Sequence, residues 1–90
     1  MQPAKHREAQ HTPKYHRLAE YLAAQEARTI LTFGEIERII GAPLPLDAYE
    51  RRQWWLVKGR THTRPWLAAG RRTEAVDVLG RVVTFIKSAP

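Results

Sequence analysis

Seven basic side chains stand between Arg51 and Arg72 with no acidic residue among them, and three tryptophans are set between them. The cations are Arg51, Arg52, Lys58, Arg60, Arg64, Arg71 and Arg72; the indoles are Trp54, Trp55 and Trp66. Two chemistries belong to such a segment. Guanidinium and ammonium groups neutralise phosphates, and an exposed indole stacks on a base. Residues 1–50 hold six Lys/Arg against seven Asp/Glu, a net of −1, whereas residues 51–90 hold nine against two, a net of +7. The formal charge of +6 is therefore a property of the second half. Solubilising surfaces normally mix both signs. An unmixed cationic surface attracts polyanions, and nucleic acid is the commonest one inside a cell.

Arginine outnumbers lysine in residues 51–90 by seven to two, which suits bidentate contacts to phosphate or guanine. Arg60, His62 and Arg64 cluster where a helix over residues 60–70 would begin, the end that meets phosphates and bases in recognition helices. Arg71 and Arg72 follow that helix, and Arg81 lies near the tip of a C-terminal hairpin. Lys58, Arg51 and Arg52 extend the basic surface. If Trp54 and Trp55 lie on a strand, they point to opposite faces. One is then core, and Trp55 is the expected stacking contact. Gln53 is the one amide of the segment and the chain has no asparagine. Binding dominated by the backbone, with limited sequence preference, is therefore expected.

Other chemistry finds little support. Among His6, His11, His16 and His62 no pair has helical i, i+4 spacing, and cysteine is absent, so neither metal nor cofactor is expected. Ser88 is the only serine. Glu35 and Glu37 are explained by a helix start, where carboxylates suit the dipole. Asp47 reads as a cap or an ion-pair partner of Arg51 or Arg52. A non-enzymatic module is expected; a metal-dependent nuclease would have to use Asp47 or Asp77 and has no motif.

Positioning these groups falls to one domain, since 90 residues leave no room for a second core. Residues 1–12 read as a flexible tail, 13–87 as the domain and 88–90 as a frayed end. Thr12 and Pro13 suit the cap and first turn of a helix reaching about Glu26, with Tyr15, Leu18, Ala19 and Leu22 on one face. Thr29–Phe33 reads as a strand, and Thr32 with Glu35 as a capping box for a helix over Gly34–Ile40 that ends at Gly41. Residues 46–60 fit helix or strand equally. Thr61 or Thr63, with Pro65, starts the next helix, which stops at Gly70. Glu74–Leu79 and Arg81–Lys87 read as a hairpin joined at Gly80. No apolar run approaches a membrane span, and the polar N-terminus is not a secretory signal. A cytoplasmic protein is expected.

The fold class is thus α+β and winged-helix-like: three to four helices, a short strand and a C-terminal β-hairpin. It requires Thr29–Phe33 to pair with Val82–Lys87. The chain also resembles a small bacterial domain family of unknown function. The resemblance rests on Tyr15–Leu22, the LTF-x-EIE-x-IIG segment Leu31–Gly41, Leu44-Pro45, Trp54-Trp55, the AWLxAG-like Trp66–Gly70 and the strands in Thr73–Lys87. It covers residues 14–87. The family pattern has serine-alanine after the LP turn and asparagine after the double tryptophan, where this chain has Asp47-Ala48 and Leu56-Val57. It has tryptophan where this chain has Arg71. The resemblance implies no activity. The expected function is DNA binding, with DNA favoured over RNA, through the phosphate backbone. The alternative is an adaptor whose basic face binds an acidic protein, and a homodimer through the first helix remains open.

Overall fold

The computed structural model describes residues 14–88, so the expected tail and the Thr12-Pro13 cap lie outside the described residues. The elements are α1 (Lys14–Ala23), β1 (Arg28–Thr32), α2 (Phe33–Ile40), α3 (Leu46–Glu50), α4 (Arg52–Leu56), α5 (Arg64–Ala68), β2 (Arg71–Asp77) and β3 (Val82–Lys87). The architecture is mixed α+β, with five helices and one antiparallel three-stranded sheet among the described residues. None of these helices is long and apolar enough to cross a membrane.

Helix α1 buries Leu18, Ala19 and Leu22, as their spacing dictates, but ends three residues before Glu26. At the start of α2 the capping box forms. Glu35 N–H donates to Thr32 Oγ1 at 3.0 Å, and Thr32 N–H donates to Glu35 Oε1 at 2.8 Å. Phe33 joins this helix instead of the strand, and Gly41 closes it at φ 75°, a left-handed conformation that favours glycine.

The sheet runs β1-β3-β2. Thr29 faces Phe85 and Leu31 faces Val83, so the long-range pairing required by the element order is present. β2 begins at Arg71, three residues before the expected Glu74, and carries an irregularity between Thr73 and Ala75. Its turn into β3 is held by Gly80 N–H donating to Asp77 Oδ1 at 2.9 Å. Arg81 completes the turn at φ 58°.

Residues 46–60 form two five-residue helices, with Arg51 extended between them (φ −126°, ψ 115°). Asp47 is not the cap. Pro45 occupies that position, and Asp47 in the first turn pairs with Arg51 at 3.4 Å. Glu37 fastens this elbow to α2: Leu44 N–H and Tyr49 Oη–H both donate to its Oε2, at 2.8 and 2.7 Å. These donors, the backbone one first, hold the Glu37 carboxyl below its ordinary value.

The core is aromatic at its centre. Ring centroids step from Phe33 to Trp55 (5.2 Å), to Trp66 (6.3 Å) and to Phe85 (5.6 Å), with Leu18, Leu22, Ile36, Ile40 and Val83 packed around them. Truncating one such aromatic costs about 3–5 kcal/mol, so this column positions everything outside it.

Candidate nucleic-acid interface

The α3–α4 elbow and the loop after α4 enclose an open cleft of ≈ 580 Å³, lined by Asp47, Arg51, Gln53, Trp54, Val57, Arg60, Thr61 and His62. A shallower one of ≈ 380 Å³ adjoins it, lined by Lys14, Tyr15, Pro43 and Pro45 and sharing Trp54, Thr61 and His62. The partition common to both is a stacked pair. The rings of Trp54 and His62 are nearly parallel, 9° apart, with centroids 3.9 Å from each other. His62 Nε2 lies 2.6 Å from the Trp54 carbonyl oxygen. A carbonyl only accepts, so Nε2 carries the proton and the ring is fixed by its own stacking partner. Burial pushes the imidazole below its ordinary pKa, opposed by this hydrogen bond and reinforced by the charge of Arg60. At neutral pH the pair is an uncharged aromatic surface.

Of the cations expected from sequence, Arg51 and Arg60 meet in the larger cleft. Lys58 and Arg72 line a small cleft of ≈ 90 Å³ that also reaches Val57, and there Thr73 Oγ1 is buried without a hydrogen-bond partner. Arg52 and Arg64 are exposed and line none of these clefts. Arg81 is exposed, with its guanidinium 5.2 Å from the ring centroid of Tyr49 on α3, and it lines none of these clefts. The ion pairs among the described residues are Arg51–Asp47 and Arg28–Glu74. Arg52, Lys58, Arg60, Arg64 and Arg72 therefore have no carboxylate partner among those residues.

Two expected contacts are corrected, and a third, which lines the cleft, has a different place in the fold. Arg71 is only 5% exposed. Its Nε–H donates to Leu22 O at 3.1 Å and its Nη2 to Gln25 O at 3.3 Å and Ala23 O at 3.5 Å. It caps the C-terminal end of α1, which has no basic residue in its own last turn, and a guanidinium suits that negative helix end. Trp55 is 1% exposed, with Nε1–H donating to the Ala48 carbonyl at 2.9 Å, so it is core, and half-buried Trp54 is the indole at the surface. The pair lies on a helix, so the strand rule does not apply. His62 precedes α5 and packs on Trp54; it does not head a recognition helix.

Trp54 was within reach of sequence reasoning as the partner of Trp55. Lys14 and Tyr15 were not, because only the tertiary packing of α1 against the loop brings them to the site. Among the described residues no cluster of three His, Asp or Glu gathers that could hold a metal ion. The family model described as a domain of unknown function (DUF7662) matches residues 15–89. Neither the curated proteins nor the solved structures give a match.

Proposed function

We propose, for a chain that belongs to the DUF7662 family and inherits no activity from it, a non-enzymatic DNA-binding module of winged-helix type that grips the phosphate backbone with limited sequence preference. The observation that carries this reading is the meeting of Arg51 and Arg60 beside an aromatic partition, with Lys58 and Arg72 grouped next to it. Arg51 is paired with Asp47, but Arg60, Lys58 and Arg72 have no carboxylate partner among the described residues, and such cations are the electrostatic footprint of a polyanion. The sheet order β1-β3-β2 supports a winged-helix arrangement, with the β2–β3 hairpin as the wing. Helix α5 has five residues and is only about 7.5 Å long. In this reading the contacts come from the α3–α4 elbow, the loop through Arg60 and Arg64, and Arg72, not from a long helix inserted in a groove.

Fluorescence anisotropy with labelled DNA tests it. The Arg60→Ala/Arg72→Ala variant is expected to bind at least several-fold more weakly at an unchanged melting temperature. Equal affinity would remove this placement. Absence of binding to both strands and duplexes at moderate salt, with co-purification of an acidic protein, would favour the adaptor instead.

A further inference from the structure

We propose that the cleft beside Trp54 and His62 receives one unpaired nucleobase, so that DNA is engaged as a single strand or through an extruded nucleotide. This rests on the DNA-binding reading and specifies the strand state that it takes. Four features of the cleft carry it. Its ≈ 580 Å³ falls in the range of sites that enclose a small organic ligand, far more than a phosphate needs. One wall is the Trp54–His62 stack, already fixed by the 2.6 Å contact of Nε2 with the Trp54 carbonyl, so little ordering is required when a base arrives. Gln53 offers a donor and an acceptor, and Asp47 an acceptor beyond its ion pair with Arg51, the complement of a base edge. Arg60, without a carboxylate partner among the described residues, and Arg51, whose Nε alone meets Asp47, line the same space, and their guanidinium groups suit the phosphates on either side of the base. A continuous duplex stacks its bases on one another and presents no free face to such a wall.

The test compares four labelled probes: a ten-nucleotide strand, the same strand with one abasic position at its centre, the blunt duplex and the duplex with a one-nucleotide bulge. The strand and the bulged duplex are expected to bind about tenfold more tightly than the blunt duplex. Abasic substitution weakens the strand, and Trp54→Ala abolishes the preference. Arg60→Ala weakens all four probes alike. Should Trp54→Ala fail to give a native circular dichroism spectrum, exposed Gln53→Ala replaces it, with loss confined to the base-bearing strand and bulge. A blunt duplex bound as tightly as the strand, or an abasic strand bound as tightly as the intact one, overturns the inference and leaves DNA binding standing. Failure of every probe to bind overturns both.

Discussion

Arg71 was expected at a nucleic-acid surface and instead holds the end of α1, whereas His62 does line the cleft, with its ring fixed on Trp54. Replacing Arg71 by alanine removes three donors from the carbonyls that end α1. Bonds from a charged group to buried acceptors are worth enough that a loss of roughly 2–3 kcal/mol is expected, lowering Tm by about 10–20 °C in a domain of this size. Arg71→Lys recovers part of it, since one ammonium cannot reproduce the fork, and its DNA affinity, once folded, should equal that of the parent. Thermal melts with anisotropy on both variants check this. His62 ties stability to pH. Its pKa is depressed in the fold, first by burial, so the unfolded chain takes up a proton near the ordinary value of 6.5 while the folded one does not. The unfolded state binds more protons, and stability falls as pH drops through that value, until the folded imidazole also titrates. Tm should therefore decrease from pH 7 to pH 5, with a smaller decrease in His62→Gln; equal decreases would shift the cause to other groups.

Among the elements, α2 is bounded by two local devices whose removal has predictable cost. Thr32→Ala removes the Oγ1 acceptor of Glu35 N–H and is expected to cost about 1 kcal/mol. Gly41→Ala places a Cβ in left-handed backbone at φ 75°, where its nearest neighbour is the movable end of Arg17. The backbone term then dominates, at about 1–2 kcal/mol, and denaturant titration measures both losses. This stretch was legible in the sequence because capping and termination depend on residues three to eight apart. The β1–β3 pairing was legible for another reason: a lone strand before a helix must find a distant partner, and Val83 and Phe85 show the matching alternation. The α3–α4 elbow was not. Five-residue helices are too short to display a period, and adjacent tryptophans fit either state. Arg71 was obscured by its charge, although the resemblance held a clue. A tryptophan in the family pattern at that position marks an inward-facing site, where this chain places a guanidinium among carbonyls instead of an indole.

For the molecule as a whole, the unmixed charge of the second half is gathered in pairs, Arg51 with Arg60 in one cleft and Lys58 with Arg72 in another, while Arg71 is interior and Arg81 lies over Tyr49. If Arg52, Lys58, Arg60, Arg64 and Arg72 each neutralise one phosphate, log K should fall against log salt with a slope of about −4.5 on duplex or about −3.5 on a single strand. A slope near −1 would mean that the cations do not act together. The same whole-molecule view has a temporal side. The carbonyls ending α1 wait for a residue 49 positions later, and β1 waits for β3, with loop-closure entropy to overcome in each case. A nascent chain halted before Val82 thus has neither its sheet centre nor Phe85, and its amphipathic first helix has little to rest on. The domain accordingly acquires its native state only once β3 has been synthesised, and until then the apolar face of its first helix stays uncovered.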